Sequence, residues 1–233
     1  DMKNRFDYQH IFLGLLATAL RRPNGCDSER LKGIPLQFSE TLSALMSALL
    51  STGENQMQER LAEMADLLAS SANPRDWLDL GRLAHALYFR QAAEQYFVKS
   101  ADLAREQDDG LTESSAYLAL GNLSSEDEDW DRAVQFYRKA LSRSEAAGMR
   151  NETGHIPEIL VNMGRACRLQ GDLSAARECY LRVMPLLDEA DLAGRSQALR
   201  SLGEISAREG DLGGAQEFYE KSRTLCQKRQ DRK

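Results

Sequence analysis

Few side chains in this sequence have the types and spacing that chemistry needs. The three histidines, His10, His85 and His155, never fall four residues apart, the spacing that sets two imidazoles on one helix face around a metal. Cys26, Cys167, Cys179 and Cys226 contain no Cys-x-x-Cys pair, so they read as reduced thiols rather than as a zinc site or a disulfide framework. Neither G-x-x-x-x-G-K-[ST] nor G-x-G-x-x-G after a strand occurs, which leaves a phosphate without a glycine cradle. Glu126-Asp127-Glu128-Asp129 with Asp131 begins like a calcium loop, but Arg132 stands where glycine is needed and Arg138 where a bidentate glutamate is needed. That run reads instead as a solvated turn between helices. The expectation is a protein without catalysis, cofactor or metal.

Composition says what kind of scaffold remains. Of 233 residues, 42% are apolar and 28% charged, enough for a core. Leu and Ala number 62, Val and Ile only nine, and strands draw on the β-branched set that is nearly missing. The chain is therefore expected to be all-α. A net charge of −6 argues against nucleic acid as the partner, since phosphate binding calls for a basic field. The longest apolar run, Ile11 to Leu20, is too short for the ~20 residues that cross a bilayer, so no membrane span is expected. Lys3, Arg5 and Ala17-Thr18-Ala19 leave a signal remnant open as an alternative to a buried first helix, although Asp7 and His10 interrupt that pattern. The cytoplasm is the expected compartment.

Self-similarity organises the rest. Gly81, Gly121, Gly164 and Gly203 form a column. Twelve residues after each stands Ala93, Ala133, Ala176 or Ala215, and sixteen after each stands Phe97, Tyr137, Tyr180 or Tyr219. Trp77, Tyr117, Leu160 and Leu199 precede the glycines by four. The pattern predicts one pair of antiparallel helices per repeat, with Gly and Ala where backbones approach and the aromatic wedged between neighbouring pairs. Gly171-Asp172 and Gly210-Asp211 supply a left-handed C-cap followed by an N-cap, whereas the first two copies lack that glycine. Asn73-Pro74 and Pro157 read as helix openings.

Trp77-Leu80-Gly81-Ala93-Phe97 resembles the tetratricopeptide repeat, W-x-x-L-G-x-x-Y followed by A-x-x-x-F-x-x-A. The usual Tyr three after Gly is replaced by Ala84, Ser124, Cys167 and Ser206, and Pro185 comes earlier than the family's late proline, where it should kink or shorten its helix. The glycines recur at 40, 43 and 39 residues. That exceeds the usual spacing of about 34 and is similar to the long-repeat type of LGN-type scaffolds, kinesin light chain and bacterial peptide-sensing regulators. The resemblance implies a right-handed superhelical solenoid of antiparallel helix pairs. Its four repeats would span about 74–110, 111–153, 154–193 and 194–233, after an N-terminal helical region 1–73 with a possible degenerate pair. Within that region Phe38, Leu42, Leu45, Met46, Leu49 and Leu50 form one helical face, Met57, Leu61, Met64 and Leu68 the next, and Arg21 to Pro35 a linker. Gln216, Glu220, Arg223 and Gln227 are expected to give the last helix a polar outer face.

The resemblance also implies a concave groove lined by the first helix of each pair, at positions six and three before Gly and one, four and five after it. Those positions hold six arginines and three acidic residues, opposite in sign to the whole chain. The candidate partner-binding residues are Arg82, His85, Asn122, Arg165, Arg168, Arg200 and Arg208, with Asn162 as a further amide. Arginine forks hold carboxylates bidentately, so an acidic protein or peptide segment is the implied partner. The alternative is that these arginines pair with Glu126, Glu158 and Glu204 and merely solubilise a face. The leading expectation is a non-enzymatic adaptor. Two others stand beside it: a peptide-sensing regulatory module of a larger transcription regulator or signalling protein, and a self-assembling structural protein that forms homo-oligomers.

Overall fold

The fold follows from what each glycine of the column faces. The structure, a computed structural model, describes residues 54–69, 72–148 and 155–230. The Arg21 to Pro35 linker, the Phe38 to Leu50 face and residues 231–233 lie outside them. Every regular element among the described residues is helical: α1 (Glu54–Leu68), α2 (Pro74–Ala86), α3 (Arg90–Glu106), α4 (Gly110–Glu126), α5 (Trp130–Ala146), α6 (His155–Gln170), α7 (Leu173–Val183) with a 3-10 turn at Met184–Leu186, α8 (Leu192–Arg208) and α9 (Leu212–Gln230). The chain divides between Thr112 and Glu113 into two compact units.

In the first unit α2 packs on α3, and α1 buries Leu61, Met64 and Leu68. A Cβ placed on Gly81 would lie 2.5 Å from the Phe97 ring, so the ring occupies the recess that the missing side chain leaves. The second unit repeats this contact. Cβ atoms on Gly121 and Gly203 would fall 2.5 and 2.7 Å from Tyr137 and Tyr219, and one on Gly164 would fall 3.1 Å from both Cys179 Cβ and the Tyr180 ring. The aromatic column thus seats on the glycine of its own pair. A recess one side chain deep exists only where the first helix lacks a Cβ. Ala93, Ala133 and Ala176 are fully buried beside these contacts, as the small-residue column requires.

Hydroxyls lock the other end of three of the four pairs. Ser100 Oγ donates to the Pro74 carbonyl (2.7 Å), fixing the end of α3 at the start of α2 and making the pair antiparallel. Ser114 does the same to the Ala140 carbonyl (2.7 Å), and Ser222 Oγ to the Ser196 carbonyl (2.9 Å). Ser114 also meets Ser144 and His155 Nε2, at 2.6 and 3.0 Å. The α6–α7 pair has Pro157 and Val183 at the corresponding positions and lacks this lock. Nearby, the buried Glu113 carboxylate pairs with Arg143 at 2.5 Å. The second unit's core runs through Val134, Leu141, Ile159, Leu160, Leu202 and Ile205.

The turns keep one geometry with different residues. Gly171 and Gly210 hold φ of 99° and 84°, and Tyr88 and Glu128 occupy the same column with φ of 63° and 59°. Non-glycine residues thus take the left-handed conformation in the two repeats that lack the glycine. The following Asp accepts from the helix start: Asp129 from Arg132 N, Asp172 from Ala175 N and Asp211 from Gly214 N, at 2.9–3.1 Å. The acidic run is therefore a turn that ends in an N-cap. Pro185 shortens its helix as expected: α7 has 11 residues against 17 in α3 and α5, and gives way to the 3-10 turn. On α9 the polar face is interrupted, because Leu212 is exposed and Tyr219 is 39% exposed, whereas Phe97, Tyr137 and Tyr180 are at 1–2%.

Gly121→Ala should destabilise the fold by about 1–2 kcal/mol, the clash with the buried Tyr137 ring outweighing a helix-propensity gain of about 1 kcal/mol. Gly203→Ala should be near neutral, since the half-open Tyr219 ring can swing away; urea unfolding midpoints of the two variants measure the difference. Glu128→Gly should raise stability by about 0.5–1 kcal/mol by relieving the left-handed glutamate, read in the same experiment.

Candidate functional site

Each first helix buries its glycine face in its own pair, so its remaining polar residues are what a ligand meets. In the first unit Arg82, on α2, is exposed and pairs with Asp79 one turn earlier at 3.3 Å. His85 sits half-buried in the last turn of the same helix. The position three before Gly does not face out in either of the first two repeats. Leu78 and Leu118 are only 5% and 6% exposed, since an apolar residue one turn before the glycine falls into the same packed face.

The second unit brings the other candidates together in two groups. Asn122 on α4 accepts from the Tyr137 hydroxyl at 2.8 Å and from Asn162 Nδ2, on α6, at 3.1 Å. Burial pushes the Tyr137 pKa up, opposed by its hydrogen bond with Ser125, so the phenol stays protonated and donates. Asn122 Nδ2 and Asn162 Oδ1 make no bond to another described residue, which leaves one donor and one acceptor side by side on the half-exposed helix faces. The Asn–Asn contact ties the first helices of successive pairs.

Arginines gather around Glu204 on α8. Arg168 Nη1 reaches Glu204 Oε2 at 3.2 Å and Arg200 Nε reaches Oε1 at 3.8 Å. Arg208 Nη1 donates to the Arg168 carbonyl at 3.2 Å. Arg165, one turn before Arg168, is exposed. Among the described residues neither Arg165 nor Arg208 has a carboxylate partner. Two of these four arginines therefore share Glu204, and the charges of Arg165, Glu126 and Glu158 all act on the Tyr137 hydroxyl. Of the glutamates that could have neutralised this face, Glu204 does so in part, Glu126 acts on the same Tyr137 hydroxyl as Arg165, and Glu158 forms no ion pair among the described residues. The buried Arg168 Nε lacks an acceptor, a cost that the two-point hold on Glu204 and α8 offsets.

One feature of this face was not read from the sequence. The ends of α6 and α8 nearest Pro157 and Gly194, with the Leu186–Asp191 turn, enclose a cleft of about 410 Å³ that includes Glu158, Asp188 and Asp191. Its signal was Pro185, whose shortening of α7 turns Leu186, Leu187 and Asp188 toward the first helices. Cys167 and Cys179 are buried free thiols, and Cys179 is held far above the usual thiol range by its hydrogen bond with Cys167 and by burial. No helix among the described residues is long and apolar enough to cross a membrane.

Two tetratricopeptide repeat family models match the chain, one over residues 155–228 and one over 116–147. No curated protein matches it. Among solved structures it is similar to BtubC (BKLC) from P. vanneervenii, with TM-score 0.68 and 14% identity over 98% of this chain and 92% of that one. The apo form of RapI follows with TM-score 0.69 and 11% identity, covering 84% and 72%. A third is the set of nearly identical TPR-like repeats of a kinesin light chain from Podosopora anserina, with TM-score 0.62 and 16% identity, covering 86% and 97%. Identities this low carry the fold, an all-α solenoid of antiparallel helix pairs.

The asparagine contact should be separable from the arginine cluster. Asn122→Ala should cost about 1–3 kcal/mol by leaving the Tyr137 hydroxyl and the Asn162 amide short of their acceptor. Asn122→Asp, which keeps both acceptor roles, should cost much less in the same urea titration.

Proposed function

Because the chain is a tetratricopeptide-repeat protein, we propose that it is a non-enzymatic adaptor that captures an acidic segment of a partner protein on the α6–α8 face. The observation that carries this reading is that two of the four arginines on this face, Arg165 and Arg208, form no ion pair among the described residues. Arg168 and Arg200 are oriented by Glu204, which lowers the conformational cost of using them, while Arg165 and Arg208 form no ion pair among the described residues. A guanidinium fork grips a carboxylate in two parallel hydrogen bonds, so this surface selects acidic side chains over neutral ones. Asn122 Nδ2 and Asn162 Oδ1 offer the donor and acceptor that an extended peptide backbone needs. Arg82 is matched by Asp79, so the reading rests on the second unit.

The cytoplasm is the compartment we assign, on the two buried thiols that remain unpaired. Nothing in the site asks for a cofactor, and the adaptor role needs none.

A fluorescein-labelled nonapeptide with four glutamates, followed by anisotropy, tests this. Arg165→Glu combined with Arg208→Glu should weaken its binding at least about tenfold, with the helical circular dichroism unchanged. Both positions are exposed, so the fold should tolerate the reversal. Equal affinity for the native chain and the double variant would overturn the reading.

A further inference from the structure

The cleft beside the arginines has the opposite electrostatic character. Its apolar lining comes from Pro157, Val161, Leu186, Leu187 and Ala198. Three carboxylates stand beside that lining. Asp188 accepts from Ala190 N at 2.8 Å, and Asp191, the N-cap of α8, accepts from Gly194 N at 2.9 Å, each through Oδ1. Glu158 is exposed. Among the described residues none of the three forms an ion pair.

The third pair lacks the serine lock beside this cleft. Pro157 and Val183 replace the serine lock that closes the pairs at Ser100, Ser114 and Ser222, and Pro185 ends α7 six residues short of α3 and α5. The turn that follows then lies across the ends of α6 and α8 instead of continuing as helix.

An apolar lining beside three carboxylates that form no ion pair among the described residues matches one kind of side chain, a long aliphatic stem that ends in a cation. A purely apolar side chain would cover the lining and leave the carboxylates unanswered, and an acidic one would be repelled. Resting on the adaptor reading above, we propose that this cleft receives a lysine or arginine side chain of the bound peptide. The partner segment is then of mixed charge, with its acidic residues on the arginine cluster and one basic residue in the cleft. Helical rise sets the separation: Glu158 lies about 10 Å along α6 from Arg165 and about 15 Å from Arg168. An extended peptide advances about 3.3 Å per residue, so the basic residue sits about three to five positions from the acidic ones.

The probe is a set of labelled nonapeptides with two glutamates at one end and a single lysine three, four or five positions away, in both chain directions. Each is paired with a peptide in which norleucine, which keeps the stem and lacks the charge, replaces lysine. At least one lysine peptide should bind the native chain about tenfold more tightly than its norleucine partner. That advantage should vanish in the Glu158→Gln, Asp188→Asn double variant, whose asparagine keeps the cap on Ala190 N. Equal binding of lysine and norleucine peptides, with the Arg165→Glu, Arg208→Glu variant still losing both, overturns the cleft assignment alone. Binding of neither peptide, or binding that survives the arginine reversals, overturns the adaptor reading and this assignment with it.

Discussion

Everything in this protein depends on an aromatic ring lying against a glycine. The contact at Gly81–Phe97, Gly121–Tyr137 and Gly203–Tyr219 leaves no room for even one carbon, and the Gly164 pair fits a methyl only by displacing Cys179 and Tyr180. Closing two helices to that distance buries the alanine column beside it and brings the serine hydroxyls within reach of carbonyls on the opposite helix. Helix packing at this spacing is a matter of shape more than of hydrophobic area, because the attraction falls off within an ångström or so of contact. The repeat is therefore a geometric device, and its sequence can drift wherever that geometry does not reach.

Such a device uses one side of each first helix completely and leaves the other side unconstrained. On α6 and α8 that freedom is spent on charge. The two helices run in the same direction, with Glu158 near Gln197 at one end and Arg168 near Arg208 at the other. Positive charge collects at one end and negative charge at the other, separated by about three turns of helix. A net charge averaged over the face hides this arrangement. The distinction matters because charged groups on a partner are recognised over a few ångströms, well inside the screening length of physiological salt.

Departures from the repeat rule are as informative as the rule. Tyr88 and Glu128 accept a left-handed backbone so that their turns match those of Gly171 and Gly210, which shows that the turn geometry outranks the local preference of the residue. Pro185 works in the other direction. It ends α7 in a 3-10 turn, and the residues that follow line the cleft. Tyr219 is in register with the buried rings but stays partly open, since in its own pair no further helix covers it among the described residues.

The sequence by itself determined the helical class, the four glycine-centred pairs, the caps at Asp172 and Asp211 and the shortening at Pro185. Each of these follows from a residue acting on its own backbone or at a fixed offset along the chain. Spacing also singled out Asn122, Asn162, Arg165, Arg168, Arg200 and Arg208 as residues of one face. Only the tertiary structure decided that each ring seats within its own pair, that Asn122 accepts from both Tyr137 and Asn162, that Glu204 serves two arginines while Arg165 and Arg208 form no ion pair among the described residues, and that Leu118 turns inward. Most of these outcomes depend on distances between atoms 15 to 40 residues apart. Local periodicity fixes the direction in which a side chain leaves its helix, whereas the identity of the atom it meets is set by how closely, and in what register, the next pair packs.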